Sequence, residues 1–238
     1  MSNITIIFVE PESEENIGAL ARVMSNFGFH NLIIINPKVD YKSEKVKIVS
    51  RKEGWKIINN ARIYEDFEEV VSLFDICYGT TGVSSKKGSE LLRNPITPRE
   101  LSSIINNISG DIGIFFGREA NGFNNYELNK FDSIITIPAD ENFPIMNITH
   151  SAAIILYELF LSKNNPIRNR FKLINNLEKS NLYMMFKEFL KVLPTEEYKK
   201  PVIYRGFKNL VGKSFLSKRE YSLLMGVFRI SKENLKRY

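Results

Sequence analysis

Five short runs of this chain are apolar at nearly every position: "ITIIFV" (4–9), "LIIIN" (32–36), "DICYG" (75–79), "IGIFFG" (112–117) and "SIITIP" (133–138). A strand with one wet face alternates apolar and polar residues, so unbroken apolar runs of this length suit strands buried on both faces. Helical apolar spacing fills the gaps at 16–27, 43–60, 66–73 and 97–107. Strand and helix in alternation predict an α/β fold, a parallel sheet flanked by helices. Ligands of such sheets collect at the carboxyl ends of the strands. The unusual residues fall there: "FVEPES", "GTTG", "FGREANG" and "IPADENFPIMN" each follow an apolar run, and a long helix is expected over 147–162.

The character changes after that helix. "KNNPIRNR" (163–170) is polar and contains proline, which suggests a linker between a domain at 1–162 and a helical extension at 171–238. Apolar spacing places helices near 176–191, 202–212 and 217–236, the last opened by a Ser217/Glu220 capping box. Residues 1–162 hold 15 Lys+Arg against 21 Asp+Glu, whereas 163–238 hold 18 against 6. A basic extension interleaved with Phe171, Tyr183, Phe186, Phe189, Tyr204, Phe207, Phe215 and Tyr221 suggests a polyanionic partner; a solvated lysine-rich helical surface is the alternative. No apolar run is long enough for a membrane-spanning helix. One cysteine, Cys77, and two histidines argue against a disulfide framework or a dedicated zinc site. The expected setting is cytoplasmic, since the first strand begins too early to leave room for a signal peptide.

The segment 16–27 carries an anomaly. Ile17, Leu20, Met24 and Phe27 follow a buried helical stripe, while Gly18, Arg22 and Ser25 share another face. A glycine inside a helix costs about 1 kcal/mol relative to alanine, so Gly18 must serve something, here expected to be room for a substrate backbone beside Arg22. The glycines of "FFGREANGF" lack the Gly-Lys-Ser/Thr ending of a phosphate loop, and no G-x-G-x-x-G follows the first strand. An ordinary ATP or NAD site is disfavoured. His30 and His150 belong to no nucleophile pattern.

Three stretches together are more specific: "NIGALARVMSNFG" (16–28), "FGREANGFNNYEL" (116–128) and "IPADENFPIMNITHSAAIILYEL" (137–159). Their order resembles the three motifs of the SPOUT-superfamily RNA 2′-O-methyltransferases. The tail "YRGFKNLVGKSFLSKREYSLLMGVFRI" resembles the extension of the TrmJ group of tRNA methyltransferases. The resemblance implies a deep trefoil knot at the carboxyl end of the sheet, and a homodimer joined through the knot region. It implies S-adenosyl-L-methionine held by the loops at Thr80, Thr81, Gly82, Gly117, Ile137, Pro144, Ile145 and Met146, with no metal. It implies catalytic roles for Arg22, Asn16, Glu119 and Asn147, and RNA contacts for Arg22, Arg118, Arg205, Lys208 and Lys213. Arg118 is expected to pair with Glu119 or with RNA, and Glu119 to tie the glycine loop together. Ile145 stands where many relatives carry serine, so a hydroxyl role at that position does not transfer. The implied reaction is methylation of a tRNA ribose at nucleotide 32 of the anticodon loop. Ribosomal RNA as target, or a non-catalytic RNA-binding protein of this fold, are the alternatives.

Overall fold

A computed structural model describes residues 3–82, 95–105, 108–163, 171–214 and 216–235. The strands are β1 (Asn3–Val9), β2 (Leu32–Ile35), β3 (Arg62–Tyr64), β4 (Ile76–Thr81), β5 (Pro95–Ile96), β6 (Ile108–Ser109), β7 (Asp111–Phe116), β8 (Ser133–Thr136) and β9 (Phe171–Lys172). The helices are α1 (Glu14–Asn26), α2 (Glu44–Asn59), α3 (Phe67–Ser72), α4 (Pro98–Ile105), α5 (Asn125–Leu128), α6 (Ile148–Lys163), α7 (Asn176–Val192), α8 (Lys200–Ser214) and α9 (Lys218–Leu235). Seven strands form one sheet in the order β3-β2-β1-β7-β4-β8-β5, with every pairing parallel. All five apolar runs became strands of this sheet. β3 and β5 did not announce themselves, being edge strands of three and two residues.

Successive residues of a strand point to opposite faces, and β1 shows both destinations. Ile6 and Phe8 enter a core with Ile17, Leu20 and Met24 of α1, Leu101 of α4 and Leu156 of α6. Ile7 and Val9 enter a second core with Val70 of α3, Leu128 of α5 and a knot of phenylalanines around Phe115 and Phe131. The second face is covered only by short helices, leaving its strand starts open to the extension.

α1 and α2 meet through glycine. A Cβ on Gly18 would lie 2.8 Å from Val49 Cβ and 2.9 Å from Val46 O; one on Gly54 would lie 3.0 Å from Arg22 N. Gly18 is buried, and its task is close helix packing. The expectation that it clears space for a substrate is therefore corrected. α2 also breaks its helical path at Arg51 (φ 58), just before Gly54 reaches α1.

The extension has its own small core of Ile174, Leu182, Val211 and Leu216. Phe186 stacks on Phe207 at 3.8 Å, and Phe228 and Tyr183 pack around them. Those aromatics build the core and are not an RNA-stacking face, which corrects part of the argument from aromatic interleaving. The Ser217/Glu220 box forms as expected, with Glu220 N donating to Ser217 Oγ and Ser217 N to Glu220 Oε2. β9 pairs with β6, and Leu173 packs into the first core of the sheet domain. Of the expected linker, 164–170 lies outside the described residues, as does Phe215.

Candidate active site

The carboxyl ends of β4, β7 and β8 lie side by side, and the loops leaving them close around a cavity of about 610 Å³. All eight residues expected to hold the cofactor line it: Thr80, Thr81, Gly82, Gly117, Ile137, Pro144, Ile145 and Met146. Asn16, Arg118, Glu119 and Asn147 line it too. Segments more than a hundred residues apart in sequence thus converge on one space.

Glycine makes the convergence possible. A Cβ on Gly117 would come within 2.9 Å of the Gly122 carbonyl carbon, so the two ends of the "GREANG" turn touch main chain to main chain. Gly122 holds φ 62, a left-handed conformation that costs glycine nothing, and its N–H donates to Arg118 O at 3.0 Å. A Cβ on Gly82 would meet Ile145 Cα at 3.3 Å, so the loop after β4 runs against the loop before α6.

Polar groups then lock the three motifs together. Glu119 accepts from Glu12 N (3.0 Å), Ser13 N (3.1 Å) and Asn16 Nδ2 (3.2 Å). Its carboxylate sits at the N-terminus of α1, where unpaired N–H groups and the helix dipole favour negative charge. With Asn16 Nδ2 committed, Asn16 Oδ1 accepts from Asn147 Nδ2 at 3.3 Å, and Asn147 Oδ1 accepts from Thr149 N and Oγ1. Donor and acceptor therefore alternate in a fixed sense from Glu119 to the start of α6. Glu119 ties the glycine loop to α1, rather than tying the loop to itself as expected.

Arg118 does not make the pairing with Glu119 expected from the sequence. Its guanidinium donates to Glu10 Oε2 (2.6 Å), to both Glu127 oxygens (2.9 and 3.0 Å) and to Gly122 O. Charge and hydrogen bonding to Glu127 raise its pKa further, while the Arg118 hydrogen bond holds the Glu10 carboxyl below the usual value. Glu119 does not claim this guanidinium, which is mostly buried and braces the loop. Glu10, in the left-handed region at the end of β1, and Glu127 went unnoticed in the sequence. Asn124 and Glu127 form a capping box, and the N-x-x-E spacing was its available signal.

Arg22 does not line the cavity of its own chain. It is exposed on α1, six residues past Asn16 or about 9 Å along the helix, and has no hydrogen bond or ion pair among the described residues. Arg205, Lys208 and Lys213 of α8 line a separate cavity of about 370 Å³ at the opposite end of β8. Among the described residues no group of three or more His, Cys, Asp or Glu is placed to hold a metal ion, and no helix is long and apolar enough to cross a membrane.

This fold and its loop-built cavity place the chain in a known class. Residues 3–157 match the SpoU rRNA methylase family, and the chain belongs to that family of RNA methyltransferases. Over 232 residues it is 38% identical to the tRNA (cytidine-2′-O-)-methyltransferase TrmJ of Methanocaldococcus jannaschii, covering 95% of this chain and 98% of that protein. TrmJ of Sulfolobus acidocaldarius is 32% identical over 164 residues, 69% of this chain and 68% of its own. The solved structure of a probable methylase family protein from Haemophilus influenzae Rd KW20 superposes with a TM-score of 0.67 at 26% identity, covering 99% of this chain and 98% of that one.

Proposed function

We propose that the protein is a cytoplasmic, homodimeric enzyme that uses S-adenosyl-L-methionine to methylate the 2′-hydroxyl of a tRNA ribose, at nucleotide 32 of the anticodon loop. The observation that carries the reading is the cavity itself: residues from three distant motifs line it, and the Glu119–Asn16–Asn147 chain joins them. The near full-length relative named as a tRNA methyltransferase favours tRNA over ribosomal RNA.

The residues fit that cofactor. A volume of about 610 Å³ suits a ligand of this size. The main-chain groups of Ile145 and Met146 have no hydrogen-bond partner among the described residues, so they are available to read an adenine edge. Ile135, Ile137 and Ile155 supply apolar wall around them. When bound, S-adenosylmethionine supplies a methyl group already activated by its sulfonium charge. The protein's part is to position the acceptor and dispose of its proton.

Arg22 suits the first task. A guanidinium with a pKa above about 12 is no base, but it binds a phosphate bidentately and thereby orients the neighbouring ribose. With no partner for its side chain among the described residues, it is free to do so. The ribose proton passes to that phosphate or to water. Glu119 and Asn147 act by holding Asn16 in one amide orientation at the cavity rim.

The dimer rests on α6. A helix that is apolar all round belongs in an interior. α6 buries Ala152, Ile155, Leu156 and Leu159, yet leaves Ile154, Tyr157, Phe160 and Leu161 in solvent, with Phe27 beside Tyr157 and Phe160. A second copy would cover this face, and the trefoil knot would lie beside it. The reading is tested by incubating purified protein with labelled S-adenosylmethionine and bulk tRNA, beside ribosomal RNA. Methyl transfer to tRNA supports it, and binding of the cofactor without transfer to either RNA would overturn it.

A further inference from the structure

The extension is docked on the sheet domain at the starts of β4 and β8, away from the cofactor cavity. Lys179 of α7 donates to Asp132 Oδ1 (2.6 Å) and Asp75 O (2.8 Å), and Asn176 donates to Phe74 O and Ser72 O. Asp132 Oδ2 accepts from Cys77 N. A Cβ on Gly212 would stand 2.5 Å from Asp132 O, so α8 approaches the strand start as closely as a helix can. The charges of Asp132 and Lys179 are thereby spent on each other.

Beside this clasp lies the cavity of about 370 Å³, lined by five cations and two carboxylates. Lys130 is paired with Glu68 at 3.0 Å. Arg205, Lys208 and Lys213 make no ion pair among the described residues; Lys208 lies 5.5 Å from the Tyr183 ring and feels the charges of Asp132, Lys130 and Lys179 at longer range. Arg205 and Lys208 sit on the α8 face that carries Gly212, turned toward the sheet domain, with Lys213 at its edge, and all three line the cavity. An RNA-binding surface need not bury its cations, yet burial pushes the pKa of Lys208 and Lys213 down. Ammonium groups that have lost water and make no ion pair favour an incoming anion.

We propose that this cleft between α8 and the strand starts is a phosphate seat for the RNA backbone, built jointly by both domains, with Arg205, Lys208 and Lys213 as its contacts. The proposal rests on the RNA-methyltransferase reading above and deepens it. β8 spans only four residues, about 13 Å, with the phosphate seat at its start and the cofactor cavity at its end. One RNA molecule can occupy both.

The test compares two charge-matched triple variants of the full chain: R205Q/K208Q/K213Q in the cleft and R219Q/R229Q/K232Q elsewhere on α9. Fluorescence anisotropy with tRNA is read across a salt series, and calorimetry with S-adenosylmethionine reports whether the sheet domain is intact. Three phosphate contacts at about 0.7 each predict a log–log salt slope shallower by about 2, and about hundredfold weaker binding at 0.1 M salt, for the cleft variant. The α9 variant should change far less. Equal losses in the two variants, or unchanged affinity in the cleft variant, would overturn the proposal while leaving the methyltransferase reading intact. Wild-type protein that neither binds nor methylates tRNA would overturn both. A second readout uses unmutated protein: acylation of Lys208 and Lys213 should be blocked by tRNA while that of Lys232 is not, and equal reactivity with and without tRNA would also overturn it.

Discussion

Replacing Glu119 by glutamine tests whether one carboxylate joins the glycine loop to α1. Oε1 accepts from Ser13 N and Asn16 Nδ2, and Oε2 from Glu12 N. A glutamine keeps one oxygen, so in its better orientation it retains two of these bonds in neutral form. Its amide NH₂ then faces the Glu12 N–H, donor against donor. Hydrogen bonds to a charged acceptor are each worth about 1.5–3 kcal/mol net, and the half-buried setting argues for the lower part of that range. One bond lost and two weakened give about 2 kcal/mol, or about 4–8 °C in a domain of this size. Thermal unfolding of E119Q beside E12Q measures it, because the Glu12 side chain is exposed and only its main-chain N–H takes part. The same substitution leaves the Asn16 amide held by a neutral oxygen in place of a charged one, so methyl transfer should fall by more than cofactor affinity does. An E119Q protein with wild-type melting temperature and wild-type turnover would refute the assignment of Glu119.

The other consequences are separable. Arg22→Ala should lower turnover at saturating tRNA by about a hundredfold or more, with cofactor affinity unchanged; calorimetry and steady-state kinetics on one preparation check both. Y157E/L161E should turn a dimer into a monomer by light scattering, because it places two carboxylates on the uncovered face of α6. Glu10 gives a pH signature: its carboxyl is held below the ordinary 4.5, chiefly by its hydrogen bond from Arg118. A group depressed in the folded state stabilises fully above its unfolded value, and that stability is lost as pH falls through the lowered folded value. Urea midpoints of wild type should therefore drop below about pH 4.5, and those of E10Q should drop less there.

How much of this was legible in the sequence follows from range. The five central strands were visible because burial on both faces leaves an unbroken apolar run. β3 and β5 pair on one side only and carry Arg62 and Pro95, which no apolar run reveals. The eight positions expected from the resemblance to hold a cofactor lie together on one cavity. What each charged group spends itself on was not legible, because it depends on contacts across the fold. Arg118 meets a Glu10 that lies 108 residues away. Lys179 reaches Asp132 across 47 residues, and that pair is one of the contacts that hold the extension on the sheet domain. Gly18 shows the same limit: its sequence said that something comes close, and only the packing of α1 on α2 identified it as Val46 and Val49. The aromatics of the extension counted toward a polyanionic partner in the sequence, and only the ring contacts show several of them forming a core.

The central claim is that the cavity at the ends of β4, β7 and β8 directs a methyl group to one tRNA ribose. It is tested most directly by mapping 2′-O-methyl groups in unmodified tRNA after treatment with purified protein and S-adenosylmethionine. The account predicts a single new modification, on the ribose of nucleotide 32, absent with R22A. Modification confined to ribosomal RNA, methylation of a base in place of a ribose, or no modification by protein that binds the cofactor would contradict it.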